Sequence, residues 1–311
     1  MKNHNSLLEN PILKDQDPHE YGLGEKIFAL GQVLAYMSLS ASLVLMFVHA
    51  KKTEIVPEIS RNHPSKSMAD KLMFGQFIFL QASLICKLIC MCILVFVING
   101  YITNGDYPEA VGKIFYCTSW SLLYLAFNCD LYKWVFAVHR INLYGGKISV
   151  AQFHHRQTVS YYIYAIFAGF LVLTNFVVTC FSAFMPTDAK SILFQSLIIF
   201  DFGSLFVVFS VIGSLLIFYL PYYFGTNYQK QKECLNKILP LNLIAVSTII
   251  VRNGLSITQT EDGMNILAIC NDLISGNFVS YTGASLFWFF VLSDFVPYIT
   301  FMISAHLSSH F

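Results

Sequence analysis

YTGASLFWFFVLSDFVPYITFMISAH, residues 281–306, is a run long and apolar enough to cross a bilayer, yet it carries an acid, Asp294, and a proline, Pro297, near its middle. An isolated carboxylate in hydrocarbon is expensive, so Asp294 requires a partner, a proton or water. Pro297 has no backbone donor and crowds the carbonyl of Ser293, which predicts a kinked helix beside the acid. The rest of the chain should then supply a partner for Asp294 and neighbours that tolerate the bend.

The whole chain shares this character. Of its 311 residues 56 % are hydrophobic and only 12 % charged, which excludes an ordinary soluble domain and points to an all-α membrane protein. A net charge of +1 offers no bulk attraction for nucleic acid. Residues 1–26 are polar and mixed in charge, and read as a disordered N-terminal tail. Seven apolar runs follow, at about 27–50, 72–99, 114–138, 158–185, 192–224, 238–258 and 279–306, and residues 307–311 form a short C-terminal tail. A weaker patch around Ile266 to Ile274 is broken by Asn271 and Asp272 and reads as a loop element.

Basic residues give the bundle a direction. Lys51, Lys52, Arg61, Lys66 and Lys71 lie in loop 1, Arg140, Lys147 and Arg156 in loop 3, and Lys230, Lys232 and Lys237 in loop 5. The even loops hold only Lys113 and Lys190, so the positive-inside rule places odd loops in the cytosol, the N-terminus in the lumen or outside, and the C-terminus in the cytosol. Arg140, Lys147, Arg156, Lys230, Lys232 and Lys237 form a basic cytosolic rim, most of which the same rule explains. Pro221 and Pro240 stand at the cytosolic ends of runs five and six.

Six ionisable residues fall within the runs: Lys87, Asp130, Lys133, Asp201, Arg252 and Asp294. Three acids and three bases balance, and residues of this kind turn inward and pair. At 1.5 Å per residue Arg252 lies roughly 21 Å, and Asp294 roughly 18 Å, from the cytosolic ends of their runs, which makes them the first expected pair. Asp130 and Lys133, three apart, can pair within one helix, and Asp201 is left with Lys87. Such a network is either a polar switch that couples a lumenal ligand to the cytosolic face or a static device that fixes helix register.

Other classes find less support. Histidines such as His139, His154, His155, His306 and His310 fall on the cytosolic side and none occupies the middle of a run, so neither a metal site nor an enzymatic centre is expected, and no cofactor is called for. The rhodopsin-class triplet and its Asn-Pro-x-x-Tyr motif are replaced by Val138-His139-Arg140 and Asp294-Phe295-Val296-Pro297-Tyr298, which leaves only a divergent G-protein-coupled receptor. A transporter or channel that uses the buried charges is the main alternative, although no internal repeat supports it.

Cys129-Asp130-Leu131-Tyr132, Ile249-Ile250-Val251-Arg252, Ser293-Asp294-Phe295-Val296-Pro297 and the segment from Ser210 to Leu215 with Phe218 and Tyr219 together resemble the plant tobamovirus-multiplication membrane proteins and their animal lysosomal receptor-like relatives. That family more often has Glu where Asp130 and Asp294 stand, and a basic tail that is missing after span seven here. The resemblance implies a seven-transmembrane, receptor-like sensor or scaffold without enzymatic activity, in a vacuolar, lysosomal or plasma membrane. It also implies an Arf-like small GTPase or another cytosolic signalling protein as partner, docked on the basic rim; the ligand stays unnamed.

Overall fold

The computed structural model describes residues 23–53, 64–101, 106–182, 187–223, 228–258 and 295–308. Among these the chain is entirely helical: α1 (Leu23–Thr53), α2 (Pro64–Ile98), α3 (Asp106–Tyr144), α4 (Val150–Ser182), α5 (Thr187–Tyr223), α6 (Tyr228–Thr258) and α7 (Val296–Ser308). A helix satisfies its own backbone hydrogen bonds, so an apolar run of this length has little other choice in hydrocarbon. Four helices are long and apolar enough to cross a membrane, over Ala29–Val48, Lys71–Val97, Val150–Thr174 and Ser196–Phe218. Polar side chains in the middle of α3 (Ser119, Asn128, Asp130 and Lys133) keep that helix out of the set. The apolar stretch of α6 is shorter, Leu235–Val251, as is that of α7, Val296–Leu307.

The helices run past the apolar stretches that announce them. α3 reaches Tyr144 and α4 starts at Val150, so Arg140 and Arg156 are helical and only Lys147 of the expected third loop lies in a turn. That turn is fixed by sequence. Gly146 takes φ +66°, Lys147 N–H donates to the Asn142 carbonyl at 3.0 Å, and Gly146 N–H donates to that of Leu143 at 3.0 Å, which is a Schellman end. Ser149 then caps α4: its Oγ accepts from Gln152 N–H at 3.2 Å, while Gln152 Oε1 accepts from Ser149 N–H at 3.0 Å. The same Schellman pattern closes α2, with Gly100 at φ 73° and Tyr101 N–H donating to Phe96.

α6 departs most from the sequence reading. It begins ten residues before the apolar run, at Tyr228, so Pro240 stands inside the helix and not at its end. Residues 228–237 are rich in Gln, Lys and Glu, good helix formers, and they present an apolar edge: Leu235 is buried while Glu233, Asn236 and Lys237 are exposed.

α3 is the central helix, packed on α2, α4 and α5; α1 lies against α2 and α7, and α6 against α5 and α7. Leu123, Ala126 and Phe127 of α3 are fully buried. The outward faces of α1 and α4 are apolar, with Leu34 and Leu45 on one and Ile166, Phe170 and Phe176 on the other, as contact with lipid tails requires. α5 approaches α6 and α3 closely at Gly213, where a Cβ would stand 2.7 Å from Leu239 Cδ1 and 3.1 Å from Trp134 Cζ3.

Candidate functional site: a buried polar layer

α3 brings its two ionisable residues onto one face. Lys133 Nζ lies 2.9 Å from Asp130 Oδ1, with the lysine side chain 13 % exposed and the aspartate fully buried. Neither group stops at its own helix. Lys133 donates to Gln76 Oε1 of α2 at 2.5 Å, and Asn242 Nδ2 of α6 donates to Asp130 Oδ2 at 2.7 Å. One four-member chain therefore ties α2, α3 and α6 together, and it is charge-balanced within that pair. An ion pair inside one helix gives little helix-to-helix adhesion; the two amides provide that, by converting it into interhelical hydrogen bonds. Beside the layer, Tyr164 of α4 meets Cys129 with Oη to Sγ at 3.0 Å and lies against the Tyr132 ring, 4.4 Å between centroids.

A second polar level lies nearer the other end of the bundle. Ser83 of α2 bonds the Tyr298 hydroxyl of α7 and the Ser119 carbonyl of α3. One turn on from Ser83, Lys87 is fully buried, its ammonium 4.0 Å from the centroid of Tyr116 and 4.5 Å from that of Trp120. Two aromatic faces offset part of the desolvation of that charge. Asp201 of α5 is also buried, next to Phe202, whose ring meets Trp120, Tyr124 and Phe127 edge-on. Lys87 and Asp201, the third expected pair, are thus both buried, on α2 and α5, two of the helices against which α3 packs.

Asp294 lies outside the described residues, as does the side chain of Arg252, so the pair expected between them falls there too. So do Ser293, with the bend expected beside it, and the patch around Ile266 to Ile274. Pro297 is buried at the start of the described part of α7, and the next residue, Tyr298, is the one that reaches Ser83. On the basic rim, Lys147, Arg156 and Lys237 are exposed and Arg140 and Lys232 half-buried; the side chain of Lys230 is outside the described set. At the same end of α3, His139 Nε2 lies 3.2 Å from Ser160 Oγ, and burial, then the nearby Arg156 charge, push its pKa down. Among the described residues no group of histidines, cysteines and acids could hold a metal ion.

Gln76, Ser83, Asn242 and Tyr298 were not expected members of the site. A signal for two of them exists in the sequence: Gln76, Ser83 and Lys87 are spaced seven and four apart, one stripe of a largely apolar stretch of helix. Comparison of the chain with protein-family models, with curated proteins and with solved structures finds no match.

Proposed function

We propose that this protein is a seven-transmembrane, receptor-like sensor or scaffold, with the N-terminus lumenal or extracellular and the C-terminus cytosolic, in a vacuolar, lysosomal or plasma membrane. The observation that carries the reading is the chain from Gln76 through Lys133 and Asp130 to Asn242, which makes the relative positions of α2, α3 and α6 depend on one set of re-pairable polar contacts. α3 and α6 bear residues of the basic rim on the same side of that layer: Arg140 beyond Lys133 on α3, Lys232 and Lys237 before Asn242 on α6. A shift in the layer would therefore move the rim, where an Arf-like small GTPase or another cytosolic signalling protein docks. In this reading the protein has no catalytic chemistry of its own.

The test is capture of purified Arf-like GTPases by the full chain in nanodiscs, loaded with GTP or GDP, beside a proton- and ion-flux assay in proteoliposomes. Nucleotide-dependent capture that falls when Lys147, Arg156 and Lys237 are changed to Glu supports the scaffold. Flux that disappears in Asp130→Asn or Asp294→Asn would instead make the buried charges a transport path.

A further inference from the structure

The polar chain has open ends. Gln76 is 3 % exposed and Asn242 fully buried, yet Gln76 Nε2 and Asn242 Oδ1 have no hydrogen-bond partner among the described residues. Turning either amide over brings no relief, since Asn242 would then aim an oxygen at the Asp130 carboxylate and Gln76 an NH2 group at the Lys133 ammonium. A third polar atom in the same condition is Ser304 Oγ on α7, in a side chain with no exposure.

The three residues lie at about one depth. Tyr298 and Ser83 are hydrogen-bonded; Ser304 lies six positions past the first, about 9 Å, and Gln76 seven positions before the second, about 10.5 Å, along antiparallel helices. Ser304 also follows Phe301 by three residues, so it shares the face whose ring stacks on Phe127 at 3.9 Å, and Asp130 follows Phe127 by three on α3. α2, α3, α6 and α7 thus converge on one layer that holds an ion pair, an open donor, an open carbonyl oxygen and an open hydroxyl.

We infer that this layer is a binding site for water: a hydrated pocket between α2, α3, α6 and α7 in which solvent accepts from Gln76 Nε2 and donates to Asn242 Oδ1, with Ser304 Oγ as a further contact. The chemistry selects an uncharged molecule that can both donate and accept. A metal cation is disfavoured because the Lys133 ammonium already sits against the carboxylate, and an anion because Asp130 lines the same place. Apolar cavities stay dry, but buried polar groups of this kind hold ordered water with two to four partners. The inference deepens the switch reading, since water can exchange partners with the amides as the helices shift, but it stands on the geometry of the layer and not on any GTPase.

The experiment is a high-resolution experimental map of the unmutated full chain in nanodiscs, with a labelling assay in water beside it. Solvent density within about 3 Å of Gln76 Nε2 and Asn242 Oδ1 is expected. Asn242→Cys should react with a small water-borne methanethiosulfonate at least roughly tenfold faster than Val246→Cys, one turn away in the dry core, because only an ionised, hydrated thiol attacks it. Both amides packed against apolar atoms without density would overturn the inference, whether or not the cysteine variants fold. So would equal inertness of the two cysteines. GTPase capture is a separate readout: its loss would leave the density in place, and missing density would leave capture untouched.

Discussion

Removing the charge of Lys133 while keeping its volume tests the energetics of the layer. In Lys133→Met the aliphatic stem keeps its packing, but the ammonium 2.9 Å from the fully buried Asp130 carboxylate is gone. Breaking one side of a buried pair costs about 3–5 kcal/mol, because it strands a desolvated charge. Lys133 is 13 % exposed, little enough that solvent screening does not erase the effect. The lost interhelical bond to Gln76 adds about 0.6 kcal/mol by comparison with other membrane helices. Asp130→Asn combined with Lys133→Met removes both charges and keeps the Asn242 side chain within reach of a carboxamide, so most of the loss should return. The assay is reversible unfolding in mixed micelles followed by helicity, with both single variants and the double. A single-variant loss below about 1 kcal/mol, or a double variant whose losses simply add, would refute the treatment of the pair as one coupled unit.

Gly213→Ala should destabilise by about 1–2 kcal/mol, the overpacking against Leu239 and Trp134 outweighing the gain of about 1 kcal/mol in helix propensity. Gly169→Ala in α4, where a Cβ meets nothing within 4 Å, should be neutral or stabilising by up to about 1 kcal/mol in the same unfolding assay. Tyr298→Phe keeps the ring in the core and removes only the hydroxyl that bonds Ser83, so thermal unfolding should report a loss of about 0.6–1.7 kcal/mol. For His139 the folded pKa lies below the ordinary imidazole value of 6.5, so on acidification the unfolded chain takes up the proton first. Stability should therefore be fully present above pH 6.5 and decline as pH falls from there through the lowered folded value. His139→Gln should flatten a melting profile recorded from pH 7.5 to 5.

Helix existence was legible because apolar runs bounded by Gly100 and by Gly145-Gly146 leave little room for anything else. Their true ends were less so. Residues 228–237 are helical by composition and by one buried edge at Leu235, not by hydrophobicity, and a search for apolar runs passes over them. Asp130 and Lys133 could be paired from spacing alone, since both lie on one helix. Gln76 and Asn242 could not, because periodicity tells which face a residue occupies but not which helix faces it. Tyr298 was hidden for a different reason: beside Asp294 and Pro297 it looks like one more aromatic, and only the approach of Ser83 gives its hydroxyl a role.

That one polar layer sets the relative positions of α3 and α6 is tested most directly by a distance across it. Spin labels at Lys147, in the turn after α3, and Lys237, on the exposed side of α6, report the two helix ends that carry the basic rim. Asp130→Asn, which weakens the bonds to Lys133 and Asn242, should shift or broaden the distance distribution by about 1–2 Å or more, the scale of helix shifts in switching bundles. A distribution identical to that of the unmutated chain, in a variant that folds and keeps its helicity, would contradict the coupling on which the proposed function rests.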